Sequence, residues 1–92
     1  MANWYPTNVN ERDPWGMAFY EQRGYELYPT SANNRDEWGT PAFRIDGRHV
    51  YPSRTNTDYR SGRVAFEIRD SQVFPAPENS YYPQGHPVFD IR

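Results

Sequence analysis

The chain contains no cysteine and no lysine. Without cysteine there are no disulfides, so nothing in it requires an oxidising compartment. A catalytic thiol and a catalytic amine are excluded at the same time. No apolar run is long enough to cross a bilayer, and Met1 is not followed by the basic-then-apolar pattern of a signal peptide. These absences set the expectation of a cytoplasmic protein with no membrane partner, leaving open only export without a signal. Positive charge is not in excess either: ten basic residues against twelve acidic ones give a net charge of −2. Nucleic acid is therefore not an expected partner, because neutralising phosphates requires a cationic surface. Aliphatic residues are scarce, with only 36% of the 92 residues hydrophobic.

What is present is aromatic: eight Tyr, five Phe and three Trp. One small domain can bury enough area with few residues if those residues are large rings. Nine Pro and six Gly indicate many turns and short strands. Charge is uneven along the chain. Residues 1–41 carry three Arg against six acids, 42–69 six Arg against three, and 70–92 one Arg against three.

A repeat organises the whole sequence. Tyr20-Glu-Gln-Arg-Gly-Tyr-Glu-Leu-Tyr-Pro29 aligns with Phe43-Arg-Ile-Asp-Gly-Arg-His-Val-Tyr-Pro52 and with Phe66-Glu-Ile-Arg-Asp-Ser-Gln-Val-Phe-Pro75 at an offset of 23. Phe89-Asp-Ile-Arg92 repeats the first half of the pattern, and Trp4-Tyr5-Pro6 repeats the second half. The connecting segments keep the same register, with Asn10, Asn33, Asn56 and Asn79 in one column and Gly16, Gly39, Gly62 and Gly85 in another. The expected units are 7–29, 30–52, 53–75, and 76–92 completed by 1–6, together forming a single domain over 1–92.

Within a unit, Phe43 and Ile45 alternate with Arg44 and Asp46, the period-two signature of a half-buried strand. Gly47-Arg48 suits a two-residue II′ turn, which needs positive φ at its first central residue. That register sets Ile45 opposite Val50. Gly24-Tyr25 fits the same scheme, Asp70-Ser71 fits it less well, and a turn at Asp46-Gly47 is the alternative. The inward face then collects Tyr20, Phe43, Phe66, Phe89, Gln22, Ile45, Ile68, Ile91, Leu27, Val50, Val73 and Trp4. Tyr5, Tyr28, Tyr51 and Phe74 point the other way and are expected against a neighbouring connecting loop. The Asn and Gly columns read as turn residues.

A lone hairpin is marginal in water, so the units must pack on one another. An open array would expose apolar faces at its ends, and Trp4, Tyr5, Val88, Phe89 and Ile91 provide no polar cap. The fold class expected is therefore all-β, with four hairpin repeats closed into a pseudo-four-fold ring, either a small barrel or a four-bladed pinwheel. Residues near 3–6 pair with residues near 88–91, which brings Met1 close to Arg92; closure within one chain or between chains stays open.

The pattern aromatic-x-Ile-x-(Gly/Asp)-x-x-Val-aromatic resembles short bacterial hairpin-repeat proteins with a Tyr-x-Ile-Arg-Gly-x-x-Ile-Tyr unit. Gly24, Gly47, Ile45, Ile68, Arg69, Val50, Val73 and Tyr51 match, while Gln22 and Asp70 depart from it. The resemblance implies a fold and no activity.

Chemistry is sparse. His49 and His86 occupy different columns and lack a recurring acidic or serine partner, and His49 is expected on an exposed strand face. Asn10-Glu-Arg-Asp13 and Asn33-Asn-Arg-Asp-Glu37 offer oxygen atoms of the kind calcium prefers. The Arg inside each cluster, and the absence of such a cluster from the other two loops, favour a salt-bridged turn, so no metal and no cofactor are expected. Gln22, standing where other units have Ile, is expected to be hydrogen-bonded in a loosened part of the core, the alternative being a small polar opening.

The candidate binding residues lie in the loops: Arg12, Asp13 and Trp15; Arg35, Asp36 and Trp38 in the same arrangement; then Tyr59, Arg60, Tyr81 and Tyr82. Arg, Trp and Tyr are the residues that interfaces favour. The competing expectation, slightly the stronger, has Trp15 and Trp38 plugging gaps between hairpins beneath Arg–Asp pairs. The function expected is a non-enzymatic interaction or assembly module binding a protein partner or itself through repeated loops. A small multivalent carbohydrate-binding protein is the alternative.

Overall fold

The computed structural model describes residues 2–33, 35–36 and 38–92, all of them strand, turn or loop. The expected place of Met1 beside Arg92, and the oxygen atoms of Asn34 and Glu37, lie outside the described residues. Eight short strands run in chain order: β1 (Ala2–Pro6), β2 (Tyr20–Arg23), β3 (Glu26–Pro29), β4 (Phe43–Asp46), β5 (His49–Pro52), β6 (Phe66–Arg69), β7 (Gln72–Pro75) and β8 (Phe89–Ile91). Each pairs antiparallel with its predecessor, and β8 pairs back with β1. The result is a closed barrel, formed within one chain. Among the described residues no helix is long and apolar enough to cross a membrane.

The hairpin register follows from the turns. Ile45 faces Val50 and Asp46 faces His49, leaving Gly47-Arg48 as the two-residue turn. Gly24-Tyr25 and Asp70-Ser71 are bracketed in the same way by Arg23–Glu26 and Arg69–Gln72. Gly47 takes φ +64°, and Asp70 takes φ +57° at the matching position. Asp70 thus makes the same turn despite its side chain, because Asp tolerates the left-handed region better than most residues. At the β1–β8 junction Trp4 faces Ile91, Tyr5 faces Asp90 and Pro6 faces Phe89. Asn3 and Arg92 then exchange two backbone hydrogen bonds of 2.7 and 2.8 Å. Antiparallel order places the three tight turns and the Asn3–Arg92 pair at one end of the barrel. The four long loops, 7–19, 30–42, 53–65 and 76–88, gather at the other.

Side chains fill the interior, as the width of an eight-stranded barrel requires. Tyr20, Phe43, Phe66 and Phe89 form a closed circuit of rings. Successive centroids are 5.6, 5.6 and 5.9 Å apart, the return to Tyr20 is 5.8 Å, and every contact is edge-to-face. Such pairs add about 0.5–1.5 kcal/mol each beyond area burial, because the positive edge of one ring meets the negative face of the next. Trp4, Leu27, Val50 and Val73 are fully buried beside the circuit.

Three features of the interior differ from the periodicity reading. The column nearest the tight turns is only partly covered: Ile45 is buried, while Ile68, Ile91 and Gln22 are half-buried. A further column, Phe19, Ala42, Ala65 and Val88, is buried although it precedes the strands. Its members complete the backbone pairing, since Phe19 donates its N–H to the Trp4 carbonyl and Ala42 donates to Leu27 (2.8 Å each). The outward aromatics carry a cover that the periodicity did not show. An arginine of the same strand pair covers each one: Arg23 over Tyr28, Arg44 over Tyr51, Arg69 over Phe74 and Arg92 over Tyr5, at 4.4–4.9 Å. A guanidinium on a ring face gains cation–π attraction and shields apolar area with its stem.

Gln22 has a physical reason. Its unit is the one where Trp4 replaces Leu or Val on the neighbouring strand, and the Trp4 indole N–H donates to Gln22 Oε1 at 3.1 Å. Replacing Gln22 with the Ile of the other units is expected to destabilise the protein by about 1–3 kcal/mol, since a buried donor loses its acceptor. Denaturant unfolding measures this, and an unchanged midpoint would show that the indole finds water instead.

Candidate functional site

The loops are built on their asparagines. Asn10 Oδ1 accepts the backbone N–H groups of Arg12 and Asp13 (3.1 Å each), and Asn33 Oδ1 accepts those of Arg35 and Asp36. In each loop the asparagine amide also donates to a carbonyl of the neighbouring loop end: Asn10 to Val88, Asn33 to Phe19, Asn56 to Ala42 and Asn79 to Ala65. One side chain therefore sets the turn and ties two loops together, which accounts for the Asn column. In loops 7–19 and 30–42 the amide additionally donates to an Asp, Asn10 to Asp13 (3.0 Å) and Asn33 to Asp36 (2.9 Å). The side-chain oxygen atoms of Asn10, Asp13 and Asn33, and Oδ2 of Asp36, are thus engaged with protein donors.

Over the aromatic circuit these loops converge in a polar tie. The Asp13 carboxylate is fully buried. Arg35 Nη1 donates to its Oδ1 at 2.6 Å, and the Tyr82 hydroxyl donates to its Oδ2 at 2.7 Å. Arg35 Nη2 also donates to the Tyr82 oxygen at 3.2 Å, and the guanidinium lies 4.9 Å from the Phe19 ring. Nearby, the Tyr20 hydroxyl donates to Asp36 Oδ2 at 2.7 Å, and Asn79 donates to the Tyr59 oxygen at 3.3 Å. Arg12 stacks on Tyr81 at 4.2 Å and on Tyr82 at 5.5 Å, with Nη1 buried and without a hydrogen-bond partner among the described residues. Both arginines reach back to the preceding loop, where Arg35 meets a carboxylate and Arg12 meets a tyrosine.

The two tryptophans behave otherwise. Trp15 is 73% exposed and Trp38 70% exposed, so neither plugs a gap and no Arg–Asp pair covers them. Burial demand is met instead by Tyr82, which packs on Phe66 at 5.5 Å and Phe89 at 5.9 Å, and by half-buried Tyr59, 5.3 Å from Phe43. Of the ten candidate residues, Asp13, Arg35, Asp36, Tyr59 and Tyr82 belong to the closing network. Trp15, Trp38, Tyr81 and Arg60 face solvent, with Arg12 half-buried between the two groups. Met17, 54% exposed, joins the exposed set. Nothing in the repeat singled it out, because its column is not kept among the units.

Known family models, curated proteins and solved structures contain no match to this chain.

The electrostatics of the network fix the protonation of its members. Burial pushes the Tyr82 hydroxyl well above the ordinary phenol range, and the Asp13 charge adds to it against the opposing pull of Arg35. Burial raises Tyr59 to about 12. Burial, then the Asp36 charge, raises Tyr20 strongly. Desolvation alone would lower Arg35, but Tyr82 and the hydrogen bond and charge of Asp13 outweigh it, so the guanidinium holds its proton more tightly than usual. The three phenols stay neutral while folded, whereas the unfolded chain ionises them near the ordinary value of 10.0. Their contribution is complete below that pH and is lost as pH rises above it towards the folded values. Alkaline unfolding is therefore expected from roughly pH 10 upward. Phenolate absorbance should show three of the eight tyrosines ionising only as near-UV circular dichroism disappears. All eight titrating with the dichroism intact would contradict the burial.

Proposed function

We propose that this protein is a non-enzymatic interaction or assembly module, four 23-residue hairpin units closed in a pseudo-four-fold ring, which contacts a protein partner or copies of itself through its loops. The unit boundaries are those of the repeat, 7–29, 30–52, 53–75 and 76–92 with 1–6. Support for equivalence comes from matching pairs between units: Trp4 with Tyr20, Leu27 with Phe43, Val50 with Phe66 and Val73 with Phe89. The observation that carries the functional reading is the exposure of Trp15 and Trp38 on loops pinned by buried Asn10 and Asn33 and the Asp side chains they hold. Large rings held out on an ordered frame bind with little entropy loss, the property of an interface anchor. The carboxylates and phenols of the network are committed to one another, which favours a holding role over proton transfer. The test is sedimentation velocity across a wide concentration range, with a Trp15→Ala/Trp38→Ala double variant as comparison. Concentration-dependent association lost in the double variant is the expected result.

Carbohydrate is the second reading. It is favoured by a groove of about 390 Å³ in which Trp15 stands with Asn8, Gln72, His86 and Asp90, a ring face flanked by hydrogen-bonding groups. A glycan array distinguishes the two, and robust sugar binding would overturn the protein-contact reading.

A further inference from the structure

Two grooves on opposite sides of the barrel are built from matching residues. One, of about 570 Å³, lies along β4 and β5; the other, of about 390 Å³, lies along β8 and β1 and contains Trp15. Counting on by 46 through the β8–β1 pairing carries Pro41 to Pro87, Arg44 to Asp90, Pro52 to Pro6, Ser53 to Thr7 and Ser61 to Trp15. The first groove therefore has a serine where the second has an indole, and it is the larger of the two. Phe43, Pro41 and Pro52 line it, and Arg44 and Arg54 line it as well. A ring entering it meets apolar surface and the Arg54 guanidinium, flanked by Glu26 and by Arg44, which already covers Tyr51.

We infer that the 570 Å³ groove receives Trp15 of a second copy of this chain, giving a head-to-tail assembly. This rests on the self-association arm of the proposed function. Trp15 is chosen over Trp38 on two grounds. Trp38 spends its indole N–H on the Thr30 carbonyl at 3.3 Å. The Trp15 groove lies four strands from the vacant one in an eight-strand barrel, hence diametrically opposite, so donor and acceptor point in opposite directions. Charge agrees: residues 42–69, which supply most of the vacant groove, carry six Arg against three acids, whereas the rest of the chain, with Trp15, carries four Arg against nine acids. Because knob and hole are different surfaces, the contact is heterologous and propagates instead of stopping at a dimer.

The experiment is sedimentation velocity on the full chain over roughly a hundredfold range of concentration, at low and high salt. Wild type is expected to grow in mass with concentration and to dissociate as salt rises. Trp15→Ala lacks the knob, and Ser61→Trp fills the hole with an indole that two equivalent loops already carry. Each alone is expected to associate at least tenfold more weakly, and an equimolar mixture of the two to form a one-to-one dimer that grows no further. Arg54→Glu provides a second disruption of the hole should Ser61→Trp misfold by circular dichroism. Wild-type growth that survives Trp15→Ala and a disrupted hole overturns the groove contact while leaving the interaction module standing. A wild type monomeric throughout overturns the groove contact and self-assembly together, leaving only contact with another protein.

Discussion

Deletion of residues 1–6 is expected to abolish cooperative folding, although the segment looks like a short tail. β1 pairs with β2 through Trp4–Tyr20 and with β8 through Trp4–Ile91. Removing it uncovers two sheet edges and empties the site of a fully buried Trp4, whose ring contacts Tyr20, Phe66 and Phe89. Loss of a buried Trp side chain alone costs about 3–5 kcal/mol, against a total stability of roughly 5–15 kcal/mol for a domain of this kind. The lost pairing adds to that. Thermal unfolding by circular dichroism reads the result. A companion chain distinguishes the strand from the chain end: residue 92 is joined to residue 3 through Gly-Asn in place of residues 1 and 2, which restores a two-residue turn across the Asn3–Arg92 pair, with new ends between Gly47 and Arg48. That permutant retains every strand and is expected to fold. A truncated chain that melts like the full one would show that β1 is dispensable and that the barrel does not depend on closure.

The second large effect is at Asp13. Its buried carboxylate accepts from Arg35, Tyr82 and Asn10 at 2.6, 2.7 and 3.0 Å. Asp13→Ala leaves all three donors without their acceptor and a guanidinium without its counter-charge. Breaking a buried pair from one side costs about 3–5 kcal/mol. Arg35 keeps a quarter of its side-chain surface in water, which places the expectation near the lower figure. A loss of ~3 kcal/mol lowers the melting temperature by more than about 10 °C in a domain of this size. The Asp13→Ala/Arg35→Met double variant is expected to lose less than the sum of the single changes, because the second substitution removes the charge that the first strands. An Asp13→Ala protein as stable as wild type would mean that water replaces the carboxylate freely.

Much of the fold was legible because repetition exposes what each position must do. Phe43, Ile45 and Val50 alternate with polar residues at the strand period, and the 23-residue offset identifies the same positions in every unit. The two-residue turns were legible at Gly24 and Gly47 from the positive φ that glycine accommodates. Less was legible in the loops. Phe19, Ala42, Ala65 and Val88 vary too much in size to look like a core column, and their burial follows from backbone pairing that continues past the strand ends. The arginines over Tyr5, Tyr28, Tyr51 and Phe74 were missed because the cation–π partner lies across the pair and not along the chain. For the candidate residues, type and spacing correctly marked the loops as the unusual part, but could not separate those that tie the barrel shut from those that face out.

By itself, then, the sequence determined the strands, the favoured hairpin turns and the meeting of residues near 3–6 with residues near 88–91, because these depend on local backbone preference and on apolar edges that must be covered; the choice against a turn at Asp46-Gly47, and closure within one chain, came from the structure. Only the tertiary structure decided that the ring is a barrel, that Asp13, Arg35 and Tyr82 join from three different loops, and that Trp15 and Trp38 stay in water. Those outcomes depend on which side chains fill the space above the aromatic circuit. Tyr82 and half-buried Tyr59 occupy it, and the two indoles lie in water.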